Sequence, residues 1–574
     1  MASFLPPTTE SSPAVAGALQ TDFVSFANRA GLRVAACLDH AGAGWAAAPW
    51  VVVAPKYGET KKNNLQLAYQ LAVNGLNVLR FDHTNHLGES EGDPTAFTLP
   101  GGVDDILGAM DYLAHTHAAA GAILLANSLS ARTAIRATAL DRRFTHLVCL
   151  VGVVNVRHTL REVYQEDLVG NHLAGKQWGL TDILGVEIDF DRFLAAAVGA
   201  NMHDLTGTRQ DLVRMRAEAT FFPAEKDVWV PLGEVRAAAA GLATVKIHPI
   251  AGAMHEIREN PAAAESAMHN LVRTCVEQAT GRPGPPGAPV APDKRLVLRQ
   301  NKVERDRLRE SRPLGGTETE FWGQYLAKYR MLDNVSDYRG YLDIIGGLLG
   351  PVGEGEIVLD AGCGNGFFGV WLLRDLLARE PARWSQPPVY LGLDLTLDGL
   401  RDAWEQQAEL AQRLARRSRA AAGAAPTLAY ARVNLDEWAG APPGGELVTF
   451  ADGCFDKICC SLVLSYLRRP GELLGELHRV LRPGGRLVLS SMKPFCDMSA
   501  IYRDFMAQRV TGEERESGRD LLRAAGAIKR KEEQGHYSFY FEEELRSAAV
   551  QAGFRPGRWQ NCFGNQAVAL AAVK

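Results

Sequence analysis

Gly281 to Pro292 reads GRPGPPGAPVAP, and this stretch decides that the chain folds as two bodies rather than one. It holds five prolines and three glycines. Proline lacks the N–H that a helix interior or a central strand needs, and glycine has the most backbone freedom to lose. A stiff, solvated linker is predicted over residues 281–295. On each side lies enough chain for a separate core, because 574 residues exceed the roughly 250 to 300 that one core supports. Residues 1–20 are rich in Pro, Ser, Thr and Ala without periodicity and are expected to be disordered. The predicted domains are therefore 21–280 and 296–574.

Bulk properties narrow the function classes. A formal net charge of -4, from 62 basic and 66 acidic residues, gives no polyelectrolyte character, so no nucleic-acid partner is expected. No Lys or Arg precedes Arg29, so the positive start of a secretory signal is missing. No apolar run approaches the ~18 residues of a membrane span; the longest, Leu147 to Val154, has the length of a buried strand. The nine cysteines include no CxxC pair, so neither a disulfide framework nor a metal site is signalled, and a cytoplasmic setting is expected.

Upstream of the linker, apolar runs alternate with helical stretches. Thr21 to Asp39 reads as two antiparallel strands, followed by strands at Trp50–Ala54, Asn77–Asp82 and Ala122–Ala126 and a helix from about Leu65 to Asn74. This alternation predicts βαβ units and a mostly parallel sheet. Directly after AILLA comes Asn127-Ser128-Leu129-Ser130, opening an alanine-rich helix. In a nucleophile elbow the residues two before and two after the serine must be small for the strand to turn sharply. Here they are Ala126 and Ser130. Taken alone, such a serine reads more often as an ordinary helix cap. The order of later residues favours the elbow. An acid, Asp227, follows the apolar run ATFF, and His255 follows VKIHPI, giving the order Ser, Asp, His. His83, His86 and His203 read as surface or loop histidines rather than ligands.

At Ala126 to Arg132 (ANSLSAR) and Val151 to Arg157 (VGVVNVR) the chain resembles the acyl transferases of bacterial bioluminescence, myristoyl-acyl-carrier-protein thioesterases of the α/β-hydrolase fold. Phe81 to Gly92 and Ala96 to Thr98 support the likeness, which spans about Thr21 to Thr280; Leu168 to Gly207, where an acyl-binding cap belongs, departs from it. The resemblance implies an acyl donor that is acyl carrier protein or acyl-CoA. It implies Ser128 as nucleophile, His255 as base and Asp227 as its orienting acid. The oxyanion hole is expected from the Leu129 amide and from the loop at Lys56 and Tyr57.

Downstream of the linker, Asp293 to Pro313 is heavily charged and reads as a solvated helix. The aromatics between Phe321 and Leu349 either lid a pocket or pack on the next sheet. Glu356 to Gly369 (EIVLDAGCGNGFFG) turns from a strand ending at Asp360 through Gly362, Gly364 and Gly366 into a helix. Glycines belong where backbone approaches a ligand closely. Asp394 ends the next strand, where a ribose diol is held by either a dinucleotide or an S-adenosylmethionine (SAM) site. LDAGCGNG, with the stretches from Phe455 to Tyr466 and Leu473 to Ser490, resembles the class I SAM-dependent methyltransferases, whose fold is Rossmann-like. The likeness covers about Phe321 to Lys574. It implies SAM as cofactor, with Asp360 among the residues that bind it, Gly362, Gly364 and Gly366 at its methionine end, and Asp394 with Leu395 at the ribose. Asn434 is implied near the adenine, with Asp436 as a substitute, and Ser461 faces the cofactor. No nucleic-acid methyltransferase motif occurs, so a small-molecule methyl acceptor is expected, with His536 and Tyr537 as candidate contacts.

The expected whole is an α/β-hydrolase domain followed by a class I methyltransferase domain, a bifunctional enzyme of lipid or polyketide metabolism. The alternative is a methyltransferase whose hydrolase-fold half docks a carrier protein without turnover.

Overall fold

The computed structural model describes residues 19–42, 45–183, 186–257, 260–282, 289–310, 319–329, 335–379, 385–417, 426–438, 449–494, 496, 526–528, 531–532 and 535–574. Two compact units form, Met1–Leu308 and Arg309–Lys574.

The first unit holds β1 (Leu19–Ala27), β2 (Arg33–Ala41), β3 (Trp50–Ala54), α1 (Leu65–Val73), β4 (Asn77–Phe81), α2 (Leu99–His117), β5 (Ala122–Asn127), α3 (Ser130–Leu140) and β6 (Phe144–Leu150). A cap follows, made of α4 (Val156–Tyr164), α5 (Leu168–Leu173), the hairpin β7 (Leu180–Ile183) and β8 (Val186–Asp189), α6 (Phe190–Gly199) and α7 (Leu205–Arg214). Then come β9 (Glu218–Phe222), α8 (Leu232–Ala239), β10 (Val245–Ile247), α9 (Pro261–Thr280) and α10 (Lys294–Glu310). Eight strands make one sheet in the order β1-β2-β4-β3-β5-β6-β9-β10. Only β1 and β2 pair antiparallel to their neighbours. In β3 the side chains of Trp50, Val52 and Ala54 enter one apolar cluster with α2 and α3, while Val51 and Val53 enter another with α1 and α9. Helices thus cover both faces, which explains why WVVVA is apolar without alternation.

Three expectations change here. Residues 1–18 lie outside the described residues, but Leu19 and Gln20 already pair with Ala41 and His40 in β1. The centre of the predicted linker, 283–288, also lies outside them, whereas Val290 exchanges two hydrogen bonds with the Asn74 side chain, at 2.8 and 3.0 Å. The chain beyond is not a solvated helix on all sides. Helix α10 buries Asn301, Glu304 and Leu308, with Glu304 paired to Arg80 in β4. The unit boundary therefore falls after Leu308 instead of at 295. The physical reason is the guanidinium of Arg80, buried in the sheet, whose Asp39 partner leaves donor sites that the Glu304 carboxylate takes up.

The second unit holds α11 (Thr319–Tyr329), α12 (Ser336–Leu349), β11 (Ile357–Ala361), α13 (Phe367–Ala378), β12 (Val389–Asp394), α14 (Leu397–Arg417), β13 (Thr427–Arg432), α15 (Leu435–Trp438) and β14 (Phe455–Cys460). It continues with α16 (Pro470–Val480), β15 (Leu481–Met492), α17 (Glu542–Gln551), β16 (Arg555–Cys562) and β17 (Ala567–Val573). The sheet order is β13-β12-β11-β14-β15-β17-β16, with β17 antiparallel to both neighbours. This is the doubly wound order with one antiparallel strand inserted before the last. The order reverses between β11 and β14, and ligands of such sheets bind at that switch point, beyond the strand ends. The two units are thus an α/β-hydrolase fold and a Rossmann-like methyltransferase fold, as the sequence predicts.

Candidate active sites

In the first unit, strand β5 ends at Asn127 and the next residue, Ser128, takes φ 51°. That left-handed value is uncommon for a residue with a Cβ and marks a backbone held by its surroundings. The holding bonds are Ser128 N–H to the Leu150 carbonyl at 3.1 Å and Val153 N–H to the Ser128 carbonyl at 2.9 Å. Gly152 allows the second loop this close, since a Cβ there would stand 2.7 Å from that of Ala131. Ser130 keeps its place by donating its hydroxyl to the Pro55 carbonyl. Ser128 Oγ lies 2.8 Å from His255 Nε2. His255 Nδ1 lies 2.7 Å from Asp227 Oδ2. The other Asp227 oxygen accepts the Trp229 and Val230 N–H groups, both at 2.9 Å. Asp227 is buried, so its carboxylate is fixed on three sides, and the Trp229 ring lies 4.8 Å from the imidazole.

The Leu129 N–H donates to none of the described residues. The loop after β3 is joined to this turn through the Ser130 hydroxyl on the Pro55 carbonyl. There Lys56 Nζ reaches Glu256 at 2.6 Å, beside His255, and Gly58 N–H donates to His86 Nε2 at 2.9 Å.

In the second unit a cavity of about 610 Å³ opens at the ends of β11, β12 and β14. Asp360, Gly362, Gly364, Asp394, Leu395, Asn434 and Ser461 all line it. Gly362 (φ 82°) and Gly364 (φ 51°) are left-handed, and a Cβ on Gly362 would run into the Val463 side chain. Asp394 receives the Gly364 N–H at 2.8 Å on one oxygen and the Thr396 N–H at 2.9 Å on the other. Burial raises its pKa against these bonds. Asp360 is more extreme. Burial first, with the Asp394 charge adding and the Tyr390 hydroxyl at 2.7 Å opposing, pushes it up to about 7.

Residues 48–277 match the family model described as acyl transferase, and residues 331–556 match one described as a methyltransferase domain. The chain joins an acyl transferase domain to a methyltransferase domain. Over 219 residues it is 28% identical to the acyl transferase of Photobacterium phosphoreum, covering 37% of this chain and 69% of that protein. It is 26% identical over 233 residues to that of Photorhabdus luminescens, covering 40% and 75%. Among solved structures, Est1E from Butyrivibrio proteoclasticus with ferulic acid bound covers 44% of this chain and 98% of its own at 16% identity and a TM-score of 0.38. A SAM-dependent methyltransferase from Aquifex aeolicus covers 44% and 97% at 18% identity and a TM-score of 0.27.

The acyl transferase domain brings Ser128, Asp227 and His255 together as the sequence order predicts. His83 and His86 are not surface groups. His83 is buried with Nδ1 3.0 Å from Asp105, and His86 is buried between rings of Tyr57 and Phe97. Nothing in the spacing of DHTNHLGES distinguishes a loop histidine from one holding a neighbouring loop. In the methyltransferase domain Gly366 does not line the cavity. As the N-cap of α13 it lets that helix meet α14, where a Cβ would stand 2.5 Å from that of Ala403. Asn434 uses its side-chain oxygen on the Asp436 N–H at 3.2 Å, and Asp436 accepts the Arg468 and Arg469 amides. Ser461 bonds the Tyr341 hydroxyl. Trp322, Tyr325 and Tyr329 of α11 line the cavity, so the aromatics there cover a pocket. His536 and Tyr537 line it too.

Among the described residues no helix is long and apolar enough to cross a membrane.

Proposed function

We propose that the acyl transferase domain cleaves an acyl thioester, on acyl carrier protein or coenzyme A, through an acyl-serine intermediate on Ser128. The observation that carries this is the 2.8 Å contact of Ser128 Oγ with His255 Nε2. A serine hydroxyl is a poor nucleophile until a base takes its proton. His255 Nε2 is that base, and Asp227, accepting the Nδ1 proton, fixes the tautomer and stabilises the imidazolium. The Oγ–carbon bond forms, the carbon–sulfur bond breaks, and the imidazolium proton goes to the departing thiolate. Water or another acceptor then takes the acyl group by the reverse relay. The developing oxyanion is bound by the Leu129 amide and by the Lys56–Tyr57 loop. Incubation with a radiolabelled acyl thioester labels the wild-type chain, whereas Ser128→Ala stays unlabelled; label retained on the variant removes Ser128 from this role.

We further propose that the methyltransferase domain uses SAM. Gly362 and Gly364 fit the backbone approach such a ligand needs, and Asp394, held by Gly364 and Thr396, stands at the end of β12 in the same cavity, where a ribose would lie. SAM supplies an electrophilic methyl group on a sulfonium. The chain's part is positioning, by the glycine turn and by aromatic walls that exclude water. The acceptor is a small molecule at the end lined by Trp322, Tyr466 and Tyr537. Calorimetric titration with SAM and with NAD tests this; binding of NAD alone defeats it. The two domains act within one lipid or polyketide pathway, in a compartment that keeps its free cysteines reduced, such as the cytoplasm. Mass spectrometry after incubation with an acyl carrier protein and SAM tests the coupling, since an acid left unmethylated rejects it.

A further inference from the structure

The loop that follows β3 is held at three points in four residues. The Ser130 hydroxyl donates to the Pro55 carbonyl. Lys56 Nζ lies 2.6 Å from Glu256 Oε1, one residue past His255. Gly58 N–H donates to His86 Nε2 at 2.9 Å, and Gly58 itself is left-handed with φ 80°. The first two contacts join the loop to the elbow helix and to the histidine loop, the two elements that carry Ser128 and His255.

The third contact is of a different kind. A ring nitrogen accepts a hydrogen bond only when it carries no proton, so His86 must be the neutral tautomer with its hydrogen on Nδ1. The surroundings enforce that state. The ring is 6% exposed and lies 4.6 Å from the Tyr57 ring and 4.8 Å from that of Phe97. Burial, with a smaller contribution from His83, lowers its pKa to about 3. Nδ1 is buried and has no hydrogen-bond partner among the described residues. A buried donor left without a partner is destabilising and rare, and such groups call for an explanation. Here the ring cannot turn to satisfy Nδ1 without releasing the Gly58 amide.

We propose that His86 is a positioning residue for the oxyanion-binding loop. By accepting the Gly58 N–H it holds the Lys56–Gly58 backbone in the conformation in which the Lys56 and Tyr57 amides meet the charge that develops on the acyl carbonyl oxygen when Ser128 adds to the carbon. The inference rests on the reading of Ser128 as nucleophile. Preorganised donors act only if their backbone is fixed before the charge appears, so loosening the loop raises the barrier while leaving acyl-chain binding alone.

The test compares His86→Leu, which keeps bulk but cannot accept, with His86→Gln, whose amide oxygen reaches about where Nε2 sits. Turnover of an acyl thioester and inhibition by an alkyl boronic acid, which forms a tetrahedral adduct on serine, are measured in the full chain. For His86→Leu, kcat falls by roughly 10- to 100-fold, less than the ~10²- to 10³-fold of deleting a donor outright. KM is unchanged, boronate affinity falls in step with kcat, and His86→Gln recovers most of both. Wild-type kcat and boronate affinity in His86→Leu overturn the proposal, and so does an equal loss in both variants. Where His86→Leu fails to fold, nitrogen NMR of wild-type protein labelled in histidine decides: an unprotonated Nε2 at residue 86 supports the proposal and a protonated one overturns it. A wild-type chain that forms no acyl-enzyme instead defeats the Ser128 reading, which the NMR measurement does not depend on.

Discussion

Arg80 and Glu304, 224 residues apart in the chain, form a two-pronged ion pair inside the first unit, with NH1 at 2.8 Å and NH2 at 2.6 Å from the two carboxylate oxygens. Arg80 also donates to both oxygens of Asp39, at 2.6 and 3.1 Å. Helix α10 lies beyond the proline-rich stretch, yet it supplies the second of the two carboxylates that receive the Arg80 guanidinium.

Glu304→Ala leaves a buried guanidinium with one of its two carboxylates gone. Asp39 still balances the guanidinium charge, so the loss is that of charge-assisted hydrogen bonding, about 1.5–3 kcal/mol. Urea denaturation followed by Trp fluorescence of the first unit reports it. A chain ending at Thr280 shows a similar loss relative to one ending at Leu308, whereas equal stability of the two rejects α10 as part of that unit.

Asp227→Asn cannot accept the Nδ1 proton as a carboxylate does and favours the wrong imidazole tautomer. Expected is a drop in kcat of about 10³- to 10⁴-fold with KM little changed. Steady-state kinetics on an acyl thioester checks it, and a wild-type kcat would remove Asp227 from the relay.

Gly362→Ala places a Cβ against Val463 at a backbone φ of 82°. SAM binding is lost while the fold of the other unit is unaffected. Asp394→Ala removes one charged acceptor and weakens SAM by about 10- to 100-fold, the equivalent of about 1.5–3 kcal/mol. Calorimetry measures both.

Asp360 gives the methyltransferase unit a distinct pH dependence. Its pKa rises on folding from the ordinary carboxylate value of 3.8 to about 7. Between those values the folded state holds more protons than the unfolded, so this group's contribution falls as pH rises, by at most about 1.4 kcal/mol per pH unit. Below the lower value the contribution is constant. Asp360→Asn retains an acceptor for the Tyr390 hydroxyl and removes the slope. Denaturation of both proteins at pH 5 and pH 7 measures the difference; parallel curves would mean that Asp360 is ionised throughout.

Local pattern was enough to place the strands. WVVVA, AILLA and EIVLDAG are apolar runs ended by turn residues, and each is a buried strand within a residue or two of its predicted limits. The order Ser128, Asp227, His255 was legible for the same reason, since each follows an apolar run that becomes a parallel strand and so ends at the same edge of the sheet. Gly366 was legible as a glycine but not in its use, because whether a glycine faces a ligand or a neighbouring helix depends on what crosses in front of it.

The sequence by itself determined that two α/β folds share this chain and where their turns lie, because hydrophobic period and glycine placement act over a few residues. It could not decide the boundary between the folds. Helix α10 is charged on all faces in the sequence, and only the buried guanidinium of Arg80, brought near by the sheet, gives one of those charges a reason to be inside. Nor could it decide the role of His86. A histidine's protonation and partners follow from the rings and amides around it, and those come from Tyr57, Gly58 and Phe97, on loops that only the closed tertiary fold brings together.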